Sequence, residues 1–562
     1  MYGMVKKQFS RNFYEQTQSV FGGIDRRAAA GNGAIADMVN MSAAAYPALT
    51  VRPRRQQLEE IVHDPQGFYA RDCLCWAQDI LENGAAVAGR LVVDEQEVAR
   101  LTAGPKLICG IQKKICVWPD KIIYDRETGL LAQMEASWEG EAIFADGTLA
   151  GEPALANTII VSGDLTGIFR AGDGVAVTAG VGGIEGDPKG AYVIQEIEFD
   201  ADTRETEIRF LDETWREFVR ETGSTGNEDG SSGFPGVATK IGIRIQRRAP
   251  ELEGVFEHHN RLWGWHGGTV CCCALGDPAN WENFEGDSTV AWELKTGSPG
   301  EITGGVSYGG RPVFFKERAI IRIYGSYPGQ YSTDETESLG VEQGSGKSLA
   351  IAGDVLYYLS NQGIMAYSGG YPWCVSEELG DTRYHNAVAG SDGVRYYVSL
   401  EREDGEYDML CYDTRHRVWH PENGERIVSM GWHGALYALE ERGYVWILGE
   451  PEKQKYEELL TWVEFADFTE GTTRKKTPGR LVLRLEMDEG VELDILIRYN
   501  SRGDWIPLRH FEGELVKDQD EVVIPLRRCD HYRIRIEGTC MGGSTWTLHD
   551  LTRERCTGSN RK

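Results

Sequence analysis

Short apolar runs separated by Gly, Asp and Asn turns fill the chain from about residue 254 to about residue 450. The segment GVSYGGRPVFFKERAIIRIYG at 305–325 contains a strand-like run, a glycine turn, an apolar run, a charged turn and a last run that closes on Tyr-Gly. Aromatic and β-branched runs bounded by turn residues are what β-hairpins require. This pattern predicts antiparallel sheets made of short, consecutive strands.

The same unit is repeated along this part of the chain. The strand before each turn can be aligned at Phe256, Val306, Ala350, Ala387 and Val428. The spacings are roughly 50, 44, 37 and 41 residues, and a repeat of this length with several strands per unit is typical of a β-propeller blade. Two similar units at 61–89 and 105–128 bring the prediction to about seven blades. No unit matches the WD40 or kelch signature, so the prediction rests on the spacing of the strands.

A different strand pattern occupies residues 133–249, between the two groups of blade-like units. The segments 157–177 and 191–210 each read as a strand, a turn and a second strand. We expect a small β-barrel-like domain here, with one helix-like piece at 211–220 and an exposed, low-complexity loop at 222–236.

The two ends of the chain differ from the repeats. Residues 1–20 are polar and predict an arm or a flexible start, whereas 21–52 predict an extended lead-in that pairs with a later strand. Residues 451–460 read as a charged helix or linker, and alternating strands follow from residue 461 onward. Leu481, Leu483 and Leu485 lie on one face of such a strand, which favours a separate β-sandwich.

The sequence therefore predicts an all-β protein of five parts. These are an N-terminal arm and lead-in strand (1–55), the first propeller blades (56–132), an inserted β domain (133–249), the remaining propeller blades (250–452) and a C-terminal β-sandwich (453–562). A chain of 562 residues is long enough for two to four hydrophobic cores.

The acidic balance of the chain bears on its partners. The 59 Lys and Arg residues face 87 Asp and Glu residues, which gives a net charge of −28. Affinity for phosphate needs clustered basic side chains, so this charge argues against a general nucleic-acid-binding surface. It is compatible with a wall past which DNA slides without sticking, and most simply it keeps a large β protein in solution.

The twelve cysteines contain no CxxC pair, so the sequence does not support a zinc site. We expect a protein assembled in a reducing cytoplasm. Cys73 and Cys75 are two residues apart and read as small buried hydrophobes, and the run 271–273 should be split between the two faces of a strand. The start of the chain, MYGMVKKQFS, does not resemble a signal peptide, and no apolar run reaches eighteen residues. We expect neither secretion by a standard leader nor a membrane span.

Two glycine-rich motifs suggest binding sites and fail on spacing. Gly344-Ser345-Gly346-Lys347-Ser348 resembles the end of a P-loop, but the residue five before Gly346 is Val341 and a strand, not a helix, follows. The segment 543–546, GSTW, resembles the end of an Asp-box turn, but the acidic position is occupied by Met541. A turn between blades and a hairpin in the sandwich are the better interpretations.

The histidines and carboxylates form no recognisable site in the sequence. His258, His259 and His266 are close together, and His416 and His420 flank a strand end, but no partners stand at metal-ligand spacing. His258 and His259 should face opposite sides of a strand. The pairs Asp408 with Asp413 and Glu377 with Glu378 read as ordinary turn and surface acids. We predict no catalytic residues, no metal and no cofactor, and hence no enzyme.

Several short motifs carry a resemblance to one family. They are NRLWG (260–264), LGDPANW (275–281), VFFKE (313–317), IYG (323–325), LYYLS (356–360) with Gly363-Ile364, MVNM (38–41) with Tyr46-Pro47, and HYRIRIEG (531–538). Together they resemble the propeller-containing tail proteins of bacteriophages and prophages. The insertion at 133–249 and the C-terminal sandwich depart from that family.

This resemblance implies a virion component similar to the tail nozzle or packaged-DNA stabilisation proteins. Such proteins form a ring, expected to be a hexamer, around the channel that conducts DNA, and they contact adjacent tail or portal-adaptor proteins. We therefore expect a structural protein of the virion tail, assembled in the bacterial host cytoplasm, with DNA as a transient passenger.

Two alternatives remain open at this point. The first is a host-surface carbohydrate-binding protein of the tail tip or baseplate that uses exposed aromatic residues. The candidates are Trp263, Trp265, Trp281 and Trp373, for which burial in a blade core is the simpler interpretation. The second is an enzyme, which a deep pocket with two or more convergent carboxylates would support.

Overall fold

A computed structural model describes residues 13–27, 31, 33–147, 155–179, 189–211, 239–424, 426–449, 458–472, 474–513, 516, 519–524 and 527–556. These residues form 45 β-strands and the short 3-10 helices Pro328–Gln330, Gly346–Ser348 and Glu377–Leu379. Within them no helix is long and apolar enough to cross a membrane. The predicted all-β class is confirmed. The chain divides into a first unit, Met1–Pro65 with Val341–Lys562, and a second unit, Gln66–Gly340.

The strands are numbered in chain order. The first nineteen are β1 (Phe13–Gln18), β2 (Ile35–Val39), β3 (Met41–Ser42), β4 (Leu49–Val51), β5 (Gln56–Ile61), β6 (Pro65–Ala70), β7 (Leu74–Glu82), β8 (Ala85–Val93), β9 (Gln96–Leu101), β10 (Leu107–Ile111), β11 (Lys114–Trp118), β12 (Ile122–Asp125), β13 (Leu131–Gln133), β14 (Ala136–Gly147), β15 (Leu155–Ser162), β16 (Gly174–Ala179), β17 (Gly190–Asp200), β18 (Glu205–Phe210) and β19 (Thr239–Arg247).

The strands that follow the barrel region complete the set. They are β20 (Gly254–His258), β21 (Arg261–His266), β22 (Thr269–Cys272), β23 (Trp292–Lys295), β24 (Gly304–Tyr308), β25 (Arg311–Lys316), β26 (Ala319–Tyr324), β27 (Ser332–Glu337), β28 (Ala350–Ala352), β29 (Val355–Ser360), β30 (Gly363–Tyr367), β31 (Trp373–Cys374), β32 (Tyr384–Ser391), β33 (Arg395–Arg402), β34 (Tyr407–Asp413), β35 (Val418–Glu422), β36 (Ile427–Trp432), β37 (Leu436–Glu440), β38 (Tyr444–Leu448), β39 (Leu459–Phe465), β40 (Thr477–Met487), β41 (Val491–Tyr499), β42 (Ile506–Glu512), β43 (Gln519–Val523), β44 (Tyr532–Cys540) and β45 (Trp546–Cys556).

Four-stranded antiparallel sheets make up the propeller part of the chain. The second unit contains the sheets β6–β9, β10–β13, β20–β23 and β24–β27, and the first unit contains β28–β31, β32–β35 and β36–β38 with β5. In the second unit β10 packs beside β20 and β20 beside β24, and in the first unit β28 packs beside β32 and β32 beside β36. Sheets whose first strands lie side by side are blades, so the β-propeller fold is confirmed. A single closed ring of about seven blades stays a prediction.

Both faces of these sheets are buried, which explains the nearly continuous apolar runs. In β11, Ile115 and Val117 pack into one hydrophobic core, whereas Cys116 and Trp118 pack into another. Successive side chains of a strand point to opposite faces, so one strand serves the two cores on either side of its sheet. Such a strand cannot show the polar alternation of a half-exposed strand.

The last sheet is completed by a strand from the start of the chain. Strand β5 pairs with β38, so that residues 56–61 lie beside residues 444–447. The backbone N–H of Val62 donates to the carbonyl oxygen of Gly443 at 2.8 Å. The first blades were predicted to begin at residue 56, within 56–132, but β5 belongs to the last sheet and the first blade begins after it. The pattern QQLEEI does not indicate which distant strand it pairs with.

The predicted inserted barrel is confirmed. Strands β14, β15, β18, β17, β16 and β19 close into a barrel in that order. Its interior is filled by buried apolar side chains, among them Phe144, Ile159, Val175 and Ile245. The helix-like piece expected at 211–220 and the loop expected at 222–236 lie, apart from Leu211, outside the described residues.

The C-terminal sandwich consists of two antiparallel sheets. One has the order β3-β4-β45-β40-β43 with β1 also on β45, and the other has the order β2-β39-β44-β41-β42. Leu481, Leu483 and Leu485 are at most 1% exposed, which confirms that they share the inner face of β40.

The N-terminal region contributes four strands to this sandwich. The lead-in pairs with a later strand as predicted, because β2 lies along β39. The polar arm expected at 1–20 is wrong for residues 13–18, which form β1 along the edge of β45. Polar residues at a sheet edge look like an arm in the sequence, and Glu15, Gln16 and Thr17 are exposed in this strand.

A buried cluster of charges fixes the lead-in to strand β35. Glu422 accepts a hydrogen bond from Arg55 Nε at 3.2 Å, and Arg52 Nε lies 3.8 Å from the same carboxylate oxygen. All three side chains are at most 8% exposed. Burial alone would raise the pKa of Glu422, but the charges of Arg55 and Arg52 hold it below its ordinary value. The carboxylate therefore stays ionised and links the two segments.

Candidate functional site

A cleft of about 620 Å³ opens in the first unit. Its walls come from the turn between β28 and β29, from the segment that runs from β31 into the 3-10 helix Glu377–Leu379, and from the turn after β34. Sheets β28–β31 and β32–β35 thus both contribute to it. We call this the Trp373 cleft after the aromatic side chain at its edge.

Two tyrosines of the cleft belong to a packed aromatic stack. Tyr357 and Tyr412 are each 5% exposed, and their ring centroids are 5.7 Å apart. Tyr412 also contacts Trp419, at 4.7 Å between centroids, and the indole N–H of Trp419 donates to the carbonyl oxygen of Val375 at 2.7 Å. Because these rings are held from several sides, the cleft has a rigid aromatic wall.

The hydroxyl group of Tyr412 is available to a ligand. Within the described part of the chain it makes no hydrogen bond, although the side chain is almost wholly buried. Burial raises the pKa of Tyr412 to about 12, and the neighbouring Tyr357 and Glu378 add to this shift. The group therefore stays protonated at neutral pH and can both donate and accept a hydrogen bond.

Trp373 stands at the edge of the cleft with its ring in solvent. Strand β31 is only two residues long and pairs Trp373 with Ala366 of β30. The side chain is 46% exposed, and Tyr371 in the preceding loop is 76% exposed. A short edge strand cannot cover a large indole, so nearly half of this side chain remains open to solvent.

Charged groups of both signs complete the lining. Glu377 and Glu378 start the 3-10 helix that follows β31, and Arg417 ends the turn after β34 with φ at +59°. Burial raises the pKa of Glu378, and the nearby Asp25 and Glu377 reinforce the rise against the opposing charge of Arg27. Arg417 forms no ion pair with any residue that the structure describes.

A smaller cavity of about 370 Å³ adjoins the Trp373 cleft. Glu378 and Arg417 line both spaces, and Asp25, Arg27 and Trp419 line the smaller one. The two spaces therefore share a charged boundary and could hold neighbouring parts of one extended ligand.

The four tryptophans proposed for ligand binding separate into two groups. Trp263, Trp265 and Trp281 are 0%, 8% and 4% exposed and belong to blade cores. Trp263, for example, packs on Tyr331 at 5.3 Å between ring centroids. Of the four, Trp373 alone is exposed, which is the distinction that the sequence pattern could not make.

The motif 344–348 is a structural turn. The Ser345 hydroxyl accepts from the N–H of Ala387 at 3.1 Å, and the Ser348 hydroxyl accepts from the N–H of Leu359 at 3.0 Å. Gly346–Ser348 is a single 3-10 turn that precedes β28. Its polar groups hold neighbouring sheets together, and no helix N-terminus is present to bind phosphate.

The GSTW motif lies in the sandwich, as predicted. Trp546 is fully buried, and its indole N–H donates to the Thr461 hydroxyl at 2.9 Å. The carboxylate of Asp488 accepts from both the N–H and the hydroxyl of Thr545. The predicted hairpin is wrong, because the motif leads from β44 in one sheet of the sandwich into β45 in the other, whereas Trp546 anchors the core as predicted.

The expectation that His258 and His259 face opposite sides of a strand is wrong. Strand β20 ends at His258, and His259 and Asn260 form the hairpin turn, with φ at +48° and +59°. The two imidazole rings stack at 3.9 Å between centroids. His258 is 7% exposed and its Nδ1 lies 2.8 Å from the Ser307 hydroxyl, while burial and the charge of His259 lower its pKa to about 4.

The other histidines also have structural contacts. His416 stacks on Tyr46 at 4.3 Å between ring centroids. The Nε2 atom of the buried His420 accepts from the N–H of Ala43 at 3.3 Å. Among the described residues, including His266 at the end of β21, no group of three or more His, Cys, Asp or Glu is placed to hold a metal ion.

Eleven of the cysteines, from Cys73 to Cys540, are free thiols, and all of these except Cys374 are buried. Cys271 and Cys273 join one core and Cys272 joins another, which confirms that the run is split between two faces. Burial raises the pKa of the Cys75 thiol well above its ordinary value, so this group is not a reactive thiolate.

Two of the predicted turn acids, Asp408 and Asp413, have internal partners. Asp408 accepts from the Tyr384 hydroxyl at 3.0 Å, and Asp413 accepts from the N–H groups of Arg415 and His416. The other pair, Glu377 and Glu378, lines the Trp373 cleft. Sequence reasoning missed this role, as it missed Tyr357, Tyr412 and Arg417, since only the fold brings them together.

A second cleft, of about 410 Å³, lies in the second unit beside the barrel. Both of its arginines are paired: Arg247 donates to Asp173 at 2.6 Å, and Arg170 forms an ion pair with Asp277. Asn280 and Asn283 both donate to the carbonyl oxygen of Gly172. These contacts fasten the barrel to the neighbouring blade.

No protein-family profile matches the chain, and no curated protein matches its sequence. Solved structures with a similar course of the chain include U3-55K, with 7% identity, a TM-score of 0.30 and coverage of 70% of this chain and 98% of that one. Another is BBS1N in complex with ARL6DN, with 9% identity, a TM-score of 0.30 and coverage of 72% and 99%. An exo-β-1,3-galactanase from Phanerochaete chrysosporium with galactose has 8% identity, a TM-score of 0.22 and coverage of 53% and 95%. At these TM-scores the similarities carry no functional argument.

Proposed function

We propose that the chain is a non-enzymatic structural protein of the tail of a phage or prophage-derived particle. In this role, copies of the chain form a ring, a nozzle or hub, around the channel through which DNA passes. The main support for the proposal is that side chains considered as possible site residues make structural contacts within the fold. Ser345 and Ser348 hold sheets together, and His258 and His420 are buried and hydrogen-bonded.

The charge of the chain supports the same role. A net charge of −28 gives an acidic surface that repels phosphate. A channel wall that conducts DNA must not retain it, whereas a basic wall would bind the duplex and release counterions. The acidic composition is therefore suited to DNA as a transient passenger.

The expected partners come from the resemblance of the short motifs to tail nozzle proteins. Six copies in a ring would contact each other and the adjacent tail or portal-adaptor proteins. Assembly in the cytoplasm of the bacterial host agrees with the buried free thiols, because a reducing compartment keeps cysteines in this form.

The assembly state of the full-length chain tests this proposal. Six chains of 62.6 kDa give about 376 kDa, and we expect analytical ultracentrifugation to detect a closed oligomer of this order. Because acidic subunits repel each other, added salt should favour the oligomer by screening the charges. A monomer of 62.6 kDa at every micromolar concentration and salt level would contradict the proposal.

A further inference from the structure

We propose that the Trp373 cleft binds a neutral saccharide. One sugar ring would lie against the open face of Trp373, and its hydroxyl groups would bond to the charged and phenolic groups of the lining. This inference is independent of the ring proposal, since it concerns a site within one chain. A monomer and an oligomer could both carry it.

The exposed indole is the first observation behind the proposal. Among the described residues, Trp373 and Trp432 are the tryptophans with large exposure, at 46% and 47%. Trp373 lines the 620 Å³ cleft, whereas Trp432 lines none of the three clefts described above. An open indole face is a flat apolar surface with a polar N–H at its rim. The C–H face of a sugar ring is also flat and apolar, while its edge carries hydroxyl groups, so the two surfaces are complementary.

The polar lining is the second observation. Glu377 and Glu378 can only accept hydrogen bonds when ionised, Arg417 can only donate, and the Tyr412 hydroxyl can do both. Neighbouring hydroxyl groups of a sugar also donate and accept, so they can satisfy all of these groups at once. Hydrogen bonds to charged partners are the stronger kind.

The charges of the lining argue against an anionic ligand. Three carboxylates, Asp354, Glu377 and Glu378, stand beside one cation, Arg417, so an anion would be repelled, and a cationic side chain would gain from the carboxylates but would be opposed by Arg417. A neutral polyhydroxylated ring meets no repulsion. A basic peptide is the competing occupant, and it is included in the test.

The size and rigidity of the site agree with this ligand. The volume of about 620 Å³ lies in the range of roughly 300–1,000 Å³ that is usual for small-ligand sites. The adjoining cavity, which shares Glu378 and Arg417, offers room for a second sugar unit. Because Tyr357 and Tyr412 are already packed, little conformational entropy is lost when a ligand binds.

The test is saturation-transfer NMR and calorimetry on the full-length chain. The neutral probes are glucose, galactose, mannose, N-acetylglucosamine and their common disaccharides, and the charged probes are glucuronate and pentalysine. We expect at least one neutral probe to bind at millimolar concentration. Trp373→Ala should weaken this binding by about tenfold or more, since it removes the stacking surface.

Two further variants separate the site from general effects. Trp432→Ala removes an equally exposed tryptophan outside the cleft and should leave binding within about twofold. Arg417→Asn should also weaken binding, and it keeps a residue type that tolerates the left-handed backbone at φ +59°. Unchanged thermal unfolding of the variants would show that each one is folded.

Several results would overturn the inference. They are the absence of binding by every neutral probe, equal binding by Trp373→Ala and the unmodified chain, and preferential binding of pentalysine or glucuronate. Disaccharide probes should be recovered intact, because cleavage would make Asp354, Glu377 and Glu378 catalytic and contradict a purely binding site.

Discussion

Glu422 shows how single buried charges stabilise this protein. Its carboxylate lies between Arg52 and Arg55, and all three groups are withdrawn from water. If one charge of such a cluster is removed, the remaining charges stay buried without that opposite charge, which is unfavourable. The lead-in at 40–55 is held against β35 by these contacts together with the 3.1 Å bond from the N–H of Asn40 to the Pro421 carbonyl.

We predict that Glu422→Gln destabilises the chain by about 3–5 kcal/mol, because Arg52 and Arg55 then remain buried beside a neutral amide. The free energy of unfolding from urea titrations is the measurement. Glu441→Gln is the control, since its pair with Arg426 is exposed and should change the value by less than about 1 kcal/mol. Equal effects of the two substitutions would contradict the role given to the buried cluster.

His420 links stability to pH. It is 2% exposed, and burial lowers its pKa from 6.5 to about 4, although the charges of Asp413 and Glu422 oppose this shift. The unfolded chain takes up a proton near pH 6.5, and the folded chain does so only near pH 4. Between these two pH values the unfolded chain binds a proton that the folded chain does not bind. The contribution of His420 to the free energy of unfolding is therefore fully present above pH 6.5 and is lost as the pH falls toward 4.

The gap between 6.5 and about 4 corresponds to roughly 3 kcal/mol. We predict that the free energy of unfolding falls by this order between pH 7 and pH 4, and that His420→Gln flattens the change in the first unit. His258 titrates over the same range in the second unit, so hydrogen exchange at amides of β35 is the suitable local readout. An unchanged pH dependence in the variant would contradict this account.

At the scale of elements, the pairing of β5 with β38 depends on a glycine. A Cβ atom on Gly443 would lie 1.9 Å from the carbonyl oxygen of Val62, and the residue has φ at +91°. Gly434 in the turn before β37 has φ at +70°, but a Cβ atom there would have no atom within 4 Å. Both positions strain an alanine backbone, and only Gly443 adds a collision with the segment that follows β5.

We predict that Gly443→Ala is destabilising by about 2 kcal/mol or more beyond Gly434→Ala, because the Val62–Gly443 backbone bond must break. Amide exchange in β5 should accelerate in Gly443→Ala and stay unchanged in Gly434→Ala. Thermal unfolding and exchange mass spectrometry measure the two effects. Similar behaviour of both variants would show that β5 does not depend on this contact.

The elements themselves could largely be predicted from the sequence, and their partners could not. Apolar runs and Gly, Asp and Asn turns indicate hairpins, because those patterns are local. Strands β1, β2 and β5 pair with residues more than 350 positions away, and nothing in a six-residue pattern specifies such a partner. The strand predicted through His259 ends one residue earlier, because His259 and Asn260 adopt positive φ in a hairpin turn, and Asn260 is the local turn signal that marks it.

The cleft was less predictable than the fold. Trp263 and Trp373 look alike in the sequence, and only packing makes one a core residue and the other an exposed ring. Tyr357, Tyr412 and Arg417 are brought to one place by two neighbouring sheets. The left-handed turn that carries Arg417 has no glycine to mark it.

At the scale of the whole molecule, the described residues form four-stranded sheets, an inserted barrel and a sandwich, which provide large surfaces for partners. In the ring proposal, the acidic composition disfavours retention of DNA on these surfaces. The ring proposal and the saccharide proposal assign different parts of this surface to different partners. They can therefore succeed or fail separately.

Single-particle electron microscopy of the purified 562-residue chain can show directly whether it forms a ring. We predict class averages of a closed ring with rotational symmetry, expected to be sixfold, and a central opening wide enough for duplex DNA. Isolated single subunits without rotational symmetry, at concentrations and salt levels that favour assembly, would contradict it.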